Sequence, residues 1–212
     1  MIVKGNSTST GALQDKTTSY IFSHTNDGEK LVLSIQCRGV GVTGVTYGGV
    51  SMGVPIASQA RNDYFTYLFE LNSPKMGAND VVISFTGTNT ELSASAISLL
   101  EADAGVGFNA KDETTASSGT PTNDVTSTLD DCIIIDSVWH DSSSAISVGA
   151  GQTQIHNDNF VGTGYNGQAG CSYEYKATAG AVNMAWSGAS ADWAGCAAAF
   201  VGGGSTPKIM LV

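Results

Sequence analysis

Trp139-His140-Asp141-Ser142 sets three residue types of a hydrolytic triad side by side. Triad members have to converge in space, and neighbours along a strand point to opposite faces, so this tetrad is expected to do no catalysis. GVGVTG (39–44) and GTGYNG (162–167) both fit the GxGxxG spacing of a dinucleotide loop. That loop has to open a helix whose N-terminus meets the pyrophosphate, and no helical pattern follows either copy. Both read as turns. No GxSxG, HExxH or phosphate-loop pattern occurs, so the chain is not expected to be an enzyme. Cys37, Cys132, Cys171 and Cys196 are widely separated, with no CxxC pair and no His at zinc spacing. They read as buried free thiols.

Two loops carry hard oxygen ligands of the kind Ca²⁺ takes: Asn123-Asp124 and His156-Asn157-Asp158-Asn159. Asp124 and Asp158 are therefore weak metal candidates, Ca²⁺ being the only cofactor they suggest, although Asn and Asp also simply favour turns. A glycan-binding face would need aromatic rings outside the core. Tyr47, Tyr64, Trp139 and Tyr165 are the candidates for glycan contact, whereas Trp186 and Trp193 take positions held by Phe85 and Leu92 in a related stretch and read as core.

The net charge of −10 is unevenly placed. Residues 1–100 carry 6 basic and 7 acidic side chains (−1), and residues 101–212 carry 3 and 12 (−9). Such a field repels nucleic acid and anionic lipid, which excludes both as expected partners. With 26 glycines, 42% apolar and only 13% charged residues, the composition is that of a β protein with enough apolar surface for a core. The N-terminal residues lack the apolar core of a signal peptide, so synthesis in a cytoplasm is expected, with an extracellular location as the alternative.

What positions these residues is a repeated unit. DVVISFTGTNTELSASAISLL (80–100) returns as AVNMAWSGASADWAGCAAAFV (181–201), with Val81, Ile83 and Phe85 on Val182, Met184 and Trp186. Large apolar residues at every second position predict a half-buried strand, and a Gly-led turn with a second apolar arm predicts a β-hairpin. Upstream, KLVLSIQC (30–37) is echoed by DCIIIDSVW (131–139), placing Ile133 and Ile135 on Leu31 and Leu33, and Tyr67 is matched by Tyr173. The expected fold is all-β: a β-sandwich, jelly-roll or Greek-key-like, built from two sequence-related halves (20–100 and 131–201). The crossing, 102–130, is read as a polar loop with one short strand near Phe108. An N-terminal arm (1–16) and a Gly spacer with an apolar tail (202–212) would flank one domain over 17–201, and Ile83, Phe85, Met184 and Trp186 would share one core.

The motifs KLVLSIQ, VTGVTYGG (42–49), YLFELNSP before VVISFTG, DCIIIDSV, GQTQ (151–154) and the stretch 172–200 resemble a family of about 200-residue β-sandwich domains. Such domains occur in phage and environmental viral proteins and as modules of secreted bacterial proteins. The resemblance implies a jelly-roll-like fold and a non-enzymatic role in a virion, as a capsid decoration or tail-fibre component. Other virion structural proteins and further copies of the chain would then be its partners. The alternative is a carbohydrate-binding module, Ca²⁺-dependent in some form, that takes a host-surface glycan. Ile209, Met210, Leu211 and Val212, behind Gly202–Gly204, are the expected partner-binding residues, adding a strand to a neighbour's sheet edge, with a strand in the chain's own sheet as the alternative.

Overall fold

The computed structural model describes residues 1–16, 18–160 and 166–204. These residues form strands only. The first half runs β1 (Val3–Ser9), β2 (Leu13–Lys16), β3 (Ser19–Asn26), β4 (Lys30–Arg38), β5 (Val42–Tyr47), β6 (Val50–Ser51), β7 (Ala57–Arg61), β8 (Tyr64–Asn72), β9 (Gly77–Phe85) and β10 (Asn89–Leu100). The second runs β11 (Ala110–Ala116), β12 (Thr122–Ser127), β13 (Cys132–His140), β14 (Ser147–Val148), β15 (Thr153–Phe160), β16 (Gly167–Lys176), β17 (Gly180–Ser187) and β18 (Trp193–Val201).

Each half makes one large and one small antiparallel sheet. The large sheets are ordered β1-β10-β4-β8-β7, with β2 also on β10, and β11-β18-β13-β16-β15. The small sheets are β3-β9-β5-β6 and β12-β17-β14. In both halves the chain passes repeatedly between the large and the small sheet, as in a jelly roll, with β1–β2, β5–β6, β7–β8 and β15–β16 the successive strands that stay within one sheet. The 42–52 segment does form a hairpin, turning at Gly48 and Gly49, whose φ values of 54° and 83° suit the two-residue turn that matches strand twist.

Three apolar layers follow from the alternation along the central strands. On β4, Leu31, Leu33, Ile35 and Cys37 face the first small sheet and meet Val45, Tyr47, Val81, Ile83 and Phe85. Val32 faces the other way, where it joins Leu68, Ile97 and Leu99 against Ile133, Ile135, Cys171, Cys196 and Phe200 of the second large sheet. On the far side of that sheet, Cys132, Ile134, Ala197 and Ala199 pack on Val125, Val182 and Met184. The order is therefore small, large, large, small, and both large sheets are covered on both faces. That is why KLVLSIQCR and CIIIDSVWH are buried at every position.

Several expectations are corrected by this arrangement. Ile83 and Phe85 lie in one core, Met184 in another, and Trp186 packs with Val138 and Ile146, so the four share no single core. The 80–100 unit is an arch rather than a hairpin: β9 bonds to β3 and β5, while β10 bonds to β1, β2 and β4. Its two apolar arms face each other across the sandwich instead of lying side by side. The N-terminal arm is part of the large sheet, with Val3 opposite Leu100 and Ser9 opposite Ser95. The polar crossing supplies two edge strands, β11 and β12, which pair along β18 and β17.

Candidate functional site

The groups best equipped for chemistry lie in a polar seam between the two large sheets. On β4 and β10, alternation turns Ser34, Gln36, Ser93 and Ser95 toward the second half, and β13 and β15 answer with Ser137, His156 and Asp158. Ser95 Oγ is 2.6 Å from His156 Nδ1, and His156 Nε2 is 3.1 Å from Gln36 Oε1. The Gln36 amide nitrogen donates to Ser34 Oγ at 2.7 Å, Ser137 Oγ at 2.8 Å and the Gly170 carbonyl at 3.2 Å. Those three acceptors set the direction of the amide, so its oxygen faces the imidazole and accepts from Nε2–H. Nδ1 is then the acceptor, and the Ser95 hydroxyl donates to it. Ser93 donates likewise to Asp158.

A hydroxyl donating to an imidazole is the first half of a nucleophile–base couple. Here the third group is an amide rather than a carboxylate, so nothing on that side stabilises an imidazolium. Burial pushes the His156 pKa down to about 4, against the pull of Asp158. Ser95 and Gln36 are 0% exposed and His156 is 5% exposed. The seam is thus internal polar packing whose members satisfy one another.

At one end of the seam an aromatic stack closes the sandwich. Trp139 lies between Tyr64, at 5.6 Å and 14°, and Phe160, at 5.2 Å and 28°. The Arg38 guanidinium sits 5.0 Å over the Tyr64 ring, and its Nε donates to Asp63 at 2.9 Å. Arg38 Nη1 is 3.9 Å from Glu91, whose carboxyl is pushed up to about 7 by burial while Arg38 pulls it back.

These placements correct the glycan reading. Tyr64 is 4% exposed, and Trp139 and Tyr47 are fully buried. Tyr47 lies in the first core with its hydroxyl on the His24 and Gly77 carbonyls, at 3.2 and 2.9 Å. None of the three can stack on a sugar, because the rings fill the sandwich instead of standing on it. Tyr165 lies outside the described residues, as do Ile209, Met210, Leu211 and Val212. Trp186 and Trp193 are buried, and all four cysteines are free and buried.

The two metal candidates are not brought together. Asp124 is exposed on β12 and receives the Asn183 side-chain amide, while its own N–H goes to Asp112 at 2.9 Å. Asp158 belongs to the seam. Among the described residues no three His, Cys, Asp or Glu side chains gather into a metal site. The tetrad at 139–142 is divided by strand alternation, with Trp139 between the large sheets and His140 on the reverse face. GVGVTG makes the turn into β5, and GTGYNG lies largely outside the described residues.

One buried carboxylate escaped the sequence reading. Asp136, on β13, is fully buried between the second large and small sheets. One oxygen accepts from the Ser172 N–H at 2.6 Å and Oγ at 3.0 Å, and the other from Trp186 Nε1 at 2.7 Å. Burial lifts its pKa to about 7, and these donors pull against that rise. Its only signal was an acid inside an apolar run, IIIDSVW.

The fold defines the chain as a β-sandwich with paired jelly-roll strand orders. Comparison with known proteins gave no matching family model, no matching curated protein and no matching solved structure.

Proposed function

We propose that the chain is a non-enzymatic structural protein of a virion, a capsid decoration or tail-fibre component that makes protein–protein contacts on a particle surface. The observation that carries this reading is the fate of the reactive groups. Ser95, His156, Asp136 and the four thiols are all consumed in interior packing, which favours a scaffold role over turnover. The small sheets and loops are left as the exposed surface, and the acidic balance of the second half keeps that surface soluble and away from nucleic acid. The resemblance to phage and viral sandwich domains points the same way, while fold alone assigns no function. The test is position and copy number. Particles purified from the source are expected to carry the chain at a fixed ratio to their major shell protein, measured by quantitative mass spectrometry and antibody labelling. Its absence from the particle fraction would overturn the reading, as would turnover of an activated ester that Ser95→Ala abolishes.

A further inference from the structure

A concave apolar recess of about 280 Å³ opens beside the N-terminus, lined by Met1, Ile2, Val3 and Tyr175. It is slightly smaller than the roughly 300–1,000 Å³ of a small-molecule pocket, and polar groups do not converge in it. The Tyr175 hydroxyl is engaged at its rim, accepting from Lys4 N–H at 2.7 Å. Met1, Val3 and Tyr175 are 76%, 42% and 43% exposed, so an apolar surface lies open in water on an otherwise polar face.

Glu101 and Asp131 hold one side of this recess and the end of β18 together. The Met1 ammonium lies 3.0 Å from the Glu101 carboxylate, and Ile2 N–H donates to Asp131 at 3.2 Å. Gly202 N–H donates to the Asp131 carbonyl at 2.8 Å and Gly203 N–H to the Glu101 carbonyl at 2.6 Å. The end of β18 and the N-terminus are therefore held by the same two residues, and the chain leaves the sheet at Gly204 on that side. Residues 205–212 lie outside the described residues, and their sequence is STPKIMLV. Ile209 is five residues on from Gly204, a reach of up to about 17 Å when extended. Lys208 precedes the apolar run, and the carboxylates of Glu101 and Asp131, 3.0 and 3.6 Å from the Met1 ammonium, lie beside the recess with the opposite charge.

We propose that the recess is the docking site of the chain's own C-terminal segment, which seats aliphatic side chains from Ile209–Val212 on Met1, Ile2, Val3 and Tyr175. Proximity favours this occupant: a segment tethered beside its site meets it at an effective concentration of order millimolar, which a second copy reaches only in dense assemblies. The inference stands independently of the virion reading.

The test is amide hydrogen exchange on the full chain, together with its mass in solution over a hundredfold range of concentration. The expected result is a monomer in which residues 209–212 exchange at least tenfold more slowly than an unstructured peptide. Val3→Asp, a change at a half-exposed position, should return them to the unstructured rate while the β4 and β13 amides keep their protection. A synthetic STPKIMLV peptide should bind a chain ending at Gly204 at least tenfold more tightly than the full chain. Unprotected 209–212 amides in the unaltered chain would overturn the proposal. So would protection that Val3→Asp leaves unchanged, equal peptide binding by the two chains, or a dimer that dissolves on truncation, which would seat the tail on a second copy.

Discussion

Asp136→Asn probes the deepest charge in the molecule. The folded carboxyl titrates near 7, whereas an ordinary aspartate titrates at 3.8. Between those values the folded chain holds a proton that the unfolded chain has released. Stability from this group is therefore fully present below about pH 4, falls as pH rises toward 7, and stays at its lower level above. At about 1.4 kcal/mol per pH unit, the interval amounts to about 4 kcal/mol. The asparagine does not titrate. Its oxygen can still take both Ser172 donors, but its NH₂ would meet Trp186 Nε1–H, donor against donor, at a pH-independent cost of about 1–3 kcal/mol. Urea unfolding of both proteins from pH 4.5 to 8 isolates the effect, because His24, His140, His156 and Glu91 titrate in each and cancel in the difference. The advantage of the unaltered chain over the variant should shrink by up to about 3 kcal/mol across that range, the rest having been lost below pH 4.5. A difference that stays flat would refute the reasoning: the three donors would then outweigh burial and keep Asp136 ionised throughout.

His156 has the opposite sign. Its pKa is lowered to about 4, so its contribution is present above 6.5 and lost as pH falls through 4, and His156→Gln should remove up to about 3 kcal/mol of acid sensitivity in the same unfolding curves. Gly170→Ala would set a Cβ 2.5 Å from the Trp186 ring, and should lower stability by about 1–3 kcal/mol and shift the indole emission. The four thiols should resist a disulfide reagent in the native protein and react together on unfolding, since burial hides each sulfur and raises its pKa.

Strand content was legible because the period of two is local. Val81, Ile83 and Phe85, and Val182, Met184 and Trp186, are buried as their alternation predicts. Alternation says which face of a strand is apolar but not which strand lies beside it. For that reason β9 and β10 read as a hairpin although they face each other from different sheets. The same ambiguity affected the match between halves. Ile133 and Ile135 were laid on Leu31 and Leu33, yet the former face the opposite large sheet and the latter their own small sheet. A one-residue slip exchanges the faces of a strand, and a run buried on both sides has no polar positions to correct it. Tyr47, Tyr64 and Trp139 were candidates for display only because Trp186 and Trp193 match core positions of the related stretch, and nothing local to the three says which way their rings face. In the fold the first fills a core, and the other two cap the seam. Ser95 and His156 are 61 residues apart and meet only through sheet register, so no motif could announce them.

The polar seam has a consequence for synthesis. At about 5–20 residues per second, the second large sheet is completed about 5–20 seconds after the first. During that interval the first sheet can already pack on its own small sheet, through Leu31, Leu33, Val81 and Ile83. Its other face, with Val32, Leu68, Ile97 and Leu99, waits uncovered on the ribosome. Ser34, Gln36, Thr66, Ser93 and Ser95 interrupt that face with hydroxyls and an amide that water can solvate. An unbroken aliphatic surface would pair with any nascent neighbour, whereas this one stays wet until its own second half arrives and the same hydroxyls exchange water for His156, Ser137 and Asp158.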